Sequence, residues 1–218
     1  MGFINAVRSS YGALHLLAGL TRVINPFCRR FDRTKNCALR ERAALPPGRI
    51  NGQGLGTLAA LPYGAWTMGN NGCEVIAVYN ALLALRRPKP LPEIAAALER
   101  RGLLFNGFGG TNLSAVAAYL RGQGVDVTVL RRRERERYDD ALRGVDCAIL
   151  SFWTGKTLRR PGGGWNTLHT VAVQRGFAGV EVLNSENDWP APRSARSVEA
   201  YLRAQDGVPV CLFALKNG

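Results

Sequence analysis

The chain of 218 residues predicts an α+β protein in which helices come first and antiparallel strands follow. Between residues 73 and 122, apolar residues recur at the three- and four-residue spacing of amphipathic helices. Between residues 125 and 215, short apolar or alternating runs are separated by turn residues, which is typical of strands. Because the helices precede the strands instead of alternating with them, we expect helices packed on an antiparallel sheet.

Composition narrows the class of protein and of partner. No apolar run reaches the length of a transmembrane helix, and five cysteines, an odd number, argue against a disulfide framework. The 29 basic and 16 acidic residues give a net charge of +13, which favours anionic partners such as a membrane surface or an acidic peptide. A solvated basic surface explains the charge equally well. No nucleic-acid-binding motif accompanies it, so we expect no nucleic acid partner.

Residues 1–48 differ in composition from the rest of the chain. An apolar helical stripe is followed by a basic segment, and together they contain eight Lys and Arg against two Asp and Glu. Pro46-Pro47-Gly48 then indicates a boundary. We therefore expect a basic amphipathic arm at 1–48, dispensable for folding, and a main domain at 49–218. The arm can lie on an anionic membrane, pack on the domain or bind a partner. Since we find no convincing signal peptide, the prediction is a cytoplasmic protein, with peripheral membrane attachment as the alternative.

Three helices are predicted in the first half of the domain. The first begins at Cys73, presents one apolar stripe to the core, and ends at Arg86-Arg87-Pro88. The second runs from Pro92 to Arg101. The third follows a glycine-rich loop, and Thr111 or Asn112 caps it.

Strands are predicted in the second half. Residues 125–130 alternate between apolar and polar, and residues 147–153 form an apolar run typical of a buried strand. The further strands are predicted at 168–173, 180–184 and 208–215, with a short helix capped by Ser197 before the last of them. The charge run from Arg131 to Arg137 indicates a solvated surface segment.

Three residues in this order suggest nucleophilic catalysis. Cys73 lies at a helix start, where unpaired backbone N–H groups favour a thiolate. His169 opens a predicted strand, and Asn184 ends the next one. Taken singly, each residue is more simply explained: Cys73 as a small buried apolar residue, His169 as a strand histidine bonded to a neighbour, Asn184 as a turn residue. Their occurrence together, in the order Cys, His, Asn, favours a catalytic triad.

The chain resembles the C39-like branch of the papain-like cysteine peptidases, which includes the bacteriocin-leader-processing type. The resemblance covers roughly residues 60–215. It rests on the order and spacing of three segments: 71–83 (NGCEVIAVYNALL), 108–111 (FGGT) and 168–173 (LHTVAV).

The resemblance implies a cysteine peptidase that hydrolyses a peptide or protein substrate through a thioester on Cys73. His169 would take the thiol proton and later protonate the leaving amine, and the Asn184 side chain would orient the imidazole. It implies neither a cofactor nor a metal. Three alternatives stay open: an acyltransferase or amidase with the same thioester, a non-catalytic papain-like peptide-binding domain, and a basic membrane-tethered interaction protein.

Two further features belong to the predicted site. No glutamine directly precedes Cys73, so we expect the oxyanion donor besides the Cys73 N–H to be a side-chain amide, Asn70 in preference to Asn71. Gly164 and Trp165, in the long loop before His169, are predicted to border a substrate groove. Glu74 would disfavour a neighbouring thiolate, but its position on a helix predicts that it points away from Cys73.

Overall fold

The fold is known from a computed structural model, which describes residues 31–45, 47–107, 109–155 and 167–218. Within these ranges the chain is a mixed α+β protein with a six-stranded antiparallel sheet, which confirms the predicted fold class at this level. The helices are α1 Arg33–Glu41, α2 Gly56–Ala60, α3 Met68–Asn71, α4 Cys73–Ala84, α5 Leu91–Arg101, α6 Leu113–Gly122, α7 Tyr138–Arg143 and α8 Val198–Ala204. Two 3₁₀ segments cover Phe105–Gly107 and Arg132–Arg137.

The large sheet lies between two groups of helices. Its strands are β3 Val125–Arg131, β4 Cys147–Trp153, β5 Leu168–Gly176, β6 Gly179–Leu183, β7 Arg193–Ala195 and β8 Val208–Asn217, in the spatial order β3-β8-β4-β5-β6-β7. Helices α4, α5 and α6 pack on one face, and α7 and α8 pack on the other. A separate two-stranded hairpin, β1 Pro62–Tyr63 and β2 Trp66–Thr67, precedes α3.

Helix α4 is the central element of the first core. The sequence predicts one apolar stripe, but the residues from Cys73 to Val78 are all buried, as are Asn80, Ala81 and Leu82. A helix that is apolar nearly all round is one enclosed by its neighbours. Strands β4 and β5 bury α4 on one side, and α5 and α6 bury it on the other. The residue pattern of α4 alone does not show that other elements cover it on both sides.

Most predicted elements are present close to their expected bounds. Asn112 is the cap of α6, since its side-chain oxygen accepts a 2.7 Å hydrogen bond from the Ser114 N–H. Ser197 caps α8 in the same way by accepting from the Ala200 N–H at 3.0 Å. The charge run at 132–137 lies on the surface as predicted. The elements that the sequence did not predict are the nine-residue α1, the two 3₁₀ segments, and the short α2, α3, α7, β7 and β1–β2 hairpin.

Part of the predicted arm is attached to the domain. Arg40 of α1 is fully buried and forms an ion pair with Glu99 of α5, with Nη1–Oε1 and Nη2–Oε2 distances of 2.7 and 2.9 Å. Asn36 donates to the same carboxylate at 3.0 Å. Removal of either partner of such a pair strongly destabilises the folded protein, because it leaves the other charge buried and unpaired. The expectation that all of residues 1–48 are dispensable for folding is therefore revised, because α1 is tied to the domain.

The stripe predicted within residues 1–25 lies outside the described residues. No helix in the part of the chain that the structure describes is long and apolar enough to cross a membrane.

Candidate active site

Cys73 is the first residue of α4, and a short helix leads directly into it. Gly72 links α3 to α4, and its N–H donates to the Met68 carbonyl at 2.9 Å. A Cβ at position 72 would lie 2.7 Å from both the Met68 carbonyl oxygen and its sulfur. Only glycine fits this close return of the chain, so Gly72 fixes the place at which α4 begins.

The Cys73 thiol is hydrogen-bonded to the next residue. Its Sγ donates to Oε2 of Glu74 over 3.3 Å. The backbone N–H groups of Thr170, on β5, and of Glu74 also interact with the sulfur and favour its thiolate form. Burial and the Glu74 carboxylate outweigh them and raise the pKa of the Cys73 thiol well above its usual value.

Two expectations from the sequence are therefore corrected. Cys73 does not have the depressed pKa that a helix start alone predicts, because it is buried and lies beside a carboxylate. Glu74 does not point away from Cys73. The 100° separation of consecutive helix residues is bridged because the longer Glu74 side chain bends back to the sulfur.

The Glu74 carboxylate lies in a small polar pocket inside the core. It is 2% exposed, and Gly110 leaves space for it, since a Cβ there would lie 3.5 Å from Oε1. Burial raises the pKa of the Glu74 carboxyl from 4.5 to about 7. The Glu74 and Thr111 N–H groups, the Cys73 thiol and the Thr170 side chain act in the opposite direction, because they stabilise the carboxylate. Thr170 is held in turn by a 3.0 Å bond to Ser151 on β4.

His169 and Asn184 are brought together, but through the backbone. Nε2 of His169 lies 2.8 Å from the Asn184 carbonyl oxygen, and the ring meets the edge of Phe152 with centroids 5.9 Å apart. A carbonyl oxygen only accepts, so Nε2 carries the hydrogen, and in the neutral ring Nδ1 carries the lone pair. The expected role of the Asn184 side-chain amide is thus corrected: its carbonyl orients the imidazole.

The Asn184 side chain holds this carbonyl in place. Asn184 is fully buried and has a φ of 59°, a left-handed conformation that is uncommon outside glycine. Its Oδ1 accepts from the Gln53 N–H at 3.0 Å, its Nδ2 donates to Gln53 Oε1 at 2.9 Å, and its N–H donates to Asn51 Oδ1 at 2.8 Å. We call Asn51, Gln53 and Asn184 the asparagine clasp. It fixes the direction of the carbonyl that His169 contacts.

The Cys73–Glu74 pair and the His169–Asn184 pair both lie at β5. Successive strand residues face opposite sides, and Thr170 faces α4 through Glu74 whereas the His169 ring packs on Phe152 in the second core. The Thr170 N–H that interacts with the Cys73 sulfur is bonded to the residue that carries the imidazole. The Cys73–Glu74 pair and the His169 ring therefore lie at the same strand but on its opposite faces, and the thiol hydrogen points to Glu74.

The predicted oxyanion amide is better matched by Asn71 than by Asn70. Asn70 is exposed, and its Oδ1 accepts a 2.7 Å bond from the Thr67 hydroxyl. Asn71 has a buried Nδ2 with no acceptor among the described residues. An unpaired buried donor is uncommon, and this one lies two residues before Cys73, where the sequence predicts an oxyanion donor. Gly164 and Trp165 lie outside the described residues.

Sequence reasoning missed Glu74 and the asparagine clasp as parts of the site. Gln53 lies 20 positions before Cys73 in the sequence, beyond the range in which we expected a glutamine. The only sequence signal was that Gln53 lies between two glycines, Gly52 and Gly54. In the structure these glycines let the chain pass close to Trp189 and Asn187. In the described ranges, no group of three or more His, Cys, Asp or Glu side chains could hold a metal ion.

No family model matches the chain, and no curated protein is significantly similar to it.

Proposed function

We propose that this protein is a papain-like cysteine hydrolase that cleaves peptide bonds through a thioester on Cys73. The observation that carries the proposal is the packing of α4 on β5, which brings Cys73, the first residue of the helix, beside the strand that carries His169. In the C39-like peptidases that the sequence resembles, a helix-start cysteine and a strand histidine are likewise the two reacting groups.

The orientation of His169 supports a proton-transfer role. With Nε2 donating to Asn184, Nδ1 is the ring atom with a lone pair for a general base. The asparagine clasp preorganises this arrangement, since a fully buried residue in a left-handed conformation needs several hydrogen bonds to persist. In the proposed triad, Asn184 contributes its carbonyl in place of its amide.

Exposed apolar side chains near the clasp favour a peptide substrate. Leu55 contacts Gly52 next to Gln53 and is 37% exposed, and Trp189 is 41% exposed. Arg193 stacks over the Trp189 ring with its guanidinium carbon 4.1 Å from the centroid. Apolar side chains beside a proton-transfer group provide contacts for peptide side chains and for the edges of a peptide backbone.

Incubation with a peptide library of mixed sequence tests the proposal. We expect new peptide termini with the unmodified chain and none with Cys73→Ala, because the sulfur forms the acyl intermediate. His169→Gln should slow the cleavage. If Cys73→Ala cleaves the library as fast as the unmodified chain, the proposal is wrong.

A non-catalytic peptide-binding domain is the second candidate. It is favoured by the Cys73–Glu74 hydrogen bond, because a buried thiol with a raised pKa is a poor nucleophile at rest. This candidate predicts that library peptides are retained by the unmodified chain without cleavage. An acyltransferase or amidase predicts instead that an added amine or a side-chain amide enters the reaction.

Cytoplasmic residence and contact of residues 1–48 with an anionic membrane are parts of the proposal. The described part of this arm contributes less charge than its composition predicts, because Glu99 neutralises Arg40 inside the fold. Attachment would therefore depend on the exposed Arg33, Lys35 and Arg42 and on the basic residues before α1. Sedimentation of the chain with anionic lipid vesicles, with and without residues 1–30, measures it.

A further inference from the structure

Glu74 is a buried carboxylate that the predicted triad leaves without a function. A charge in a protein core is unfavourable unless hydrogen bonds compensate for its lost hydration. Here the compensation is partial. The Cys73 thiol donates a 3.3 Å hydrogen bond to the carboxylate, and the Glu74 and Thr111 N–H groups and the Thr170 side chain also stabilise it, but burial outweighs them and raises the pKa of the carboxyl to about 7. Above that pH the pocket holds an anion in direct contact with the proposed nucleophile.

We propose that Glu74, and not His169, accepts the Cys73 proton when the sulfur attacks, so that Cys73 and Glu74 form the nucleophile–base pair. This inference rests on the proposed thioester chemistry and deepens it. The 3.3 Å hydrogen bond from Sγ to Oε2 is the path for the proton. The Thr170 N–H, which lies on β5, interacts with the Cys73 sulfur and stabilises the negative charge that the transfer leaves on it.

The step balances within the pair and the substrate. The Sγ–H bond breaks and an Oε2–H bond forms, while the sulfur bonds to the substrate carbonyl carbon and the C=O π electrons move to oxygen. The C=O bond then re-forms, the C–N bond breaks, and the leaving nitrogen takes the proton from Glu74. His169 acts later, when Nδ1 accepts a proton from water as the water oxygen bonds to the thioester carbon. The C–S bond then breaks, and the sulfur takes the proton back from the imidazolium, which restores the thiol.

The surroundings of Glu74 add few competing charges. The titratable groups facing it are Cys73 on α4 and Tyr63 on β1, whereas the His169 ring, one residue before Thr170, lies on the opposite face of β5. Burial raises the pKa of Tyr63 well above its usual value, so this phenol stays neutral near pH 7. The acylation rate should therefore rise with pH as Glu74 loses its proton near its pKa of about 7.

Burst kinetics with an activated acetate ester, p-nitrophenyl acetate, separate the two roles in the full chain. The ester's leaving group needs no proton, so its burst reports acylation and its steady state reports thioester hydrolysis. We expect Glu74→Gln to slow the burst by about 10²- to 10⁴-fold and to remove the inflection near pH 7. His169→Gln should keep the burst and its pH dependence but slow the steady state. Glu93→Gln, an exposed carboxylate on α5, is the control for charge removal alone.

The outcomes distinguish the inference from the proposed function. If the unmodified chain is never acetylated on Cys73, the proposed function fails. If it is acetylated, while Glu74→Gln keeps or accelerates the burst and His169→Gln loses it, the histidine is the base and the inference is overturned. Should Glu74→Gln not fold, the burst of His169→Gln decides: a retained burst with its inflection supports Glu74, and a lost burst contradicts it.

Discussion

At the scale of single residues, the environment of each side chain determines the chemistry more than its residue type does. Cys73 stands where a helix start would favour a thiolate, yet burial and Glu74 raise the pKa of its thiol. Asn184 stands where an amide would orient an imidazole, yet the amide is used inside the asparagine clasp and the carbonyl makes the contact. The first outcome depends on how the fold buries Cys73, and the second depends on Gln53, which lies 131 positions away from Asn184 in the chain.

The clasp predicts an effect of Gln53 on turnover. Gln53→Ala removes the acceptor of the Asn184 Nδ2 and lets the carbonyl that holds His169 move. Because a displacement of about 1 Å in a reacting group can reduce rates about 10²-fold, we expect a loss of that order in kcat with little change in KM. Steady-state kinetics with a cleaved library peptide measure it. Gln123→Ala, at the end of α6, should keep full activity, and an equal loss in both variants would contradict a positioning role.

The pKa of Glu74 predicts a pH dependence of stability. The folded chain holds the Glu74 proton up to pH about 7, whereas the unfolded chain releases it near 4.5. Between these values the unfolded state binds fewer protons, so the contribution of Glu74 makes the folded state less stable as the pH rises, and this effect levels off above 7. Urea denaturation from pH 4 to 8 should show that Glu74→Gln gains stability relative to the unmodified chain over this window. A constant difference across the window would show that the carboxyl is not buried as described.

At the scale of elements, the buried pair between α1 and α5 attaches the N-terminal segment. Glu99 accepts from Arg40 and Asn36 and from the Gly64 N–H at 2.8 Å, so one carboxylate connects α1, α5 and the β1–β2 turn. A chain that starts at residue 31 keeps this connection, whereas one that starts at Arg49 leaves Glu99 without it. The folded unit thus includes residues before the Pro46-Pro47-Gly48 boundary.

This connection predicts a large loss of stability on its removal. Glu99→Ala leaves a buried guanidinium unpaired, and we expect it to lower the free energy of unfolding by about 3–5 kcal/mol. Glu93→Ala breaks the exposed Lys89–Glu93 pair on the same helix and should change it by less than about 1 kcal/mol. Urea denaturation compares the two. Equal effects would mean that the α1 contact contributes nothing beyond a surface ion pair.

Secondary structure was largely predictable from local patterns, and the site was predictable only in part. The strands β3, β4, β5, β6 and β8 follow from alternation or apolar runs, and α5 and α6 follow from helical spacing and caps. The α1 ion pair and the Glu74 pocket were not predictable, because a buried charge is recognised only when its partner in space is known. Cys73 and His169 have local signals, whereas Gln53 acts through a contact that no local pattern contains.

At the scale of the whole molecule, the central claim concerns the place where α4 crosses β5. Strands β4 and β5 lie at the centre of the large sheet, α4 is enclosed on nearly all sides, and its first residue lies beside the strand that carries His169. The two cores hold the Cys73–Glu74 pair on one face of this strand and the His169 ring on the other. The proposed acyl transfer requires reacting groups that packed elements hold in place.

The most direct test of this claim is rapid acid quenching of the unmodified chain during cleavage of a library peptide, followed by intact-mass measurement and peptide mapping. The account predicts a transient mass increase equal to the acyl fragment of the peptide, located on Cys73 and absent in Cys73→Ala. Cleavage without any adduct on Cys73, or an adduct located on any of the other four cysteines, would contradict it.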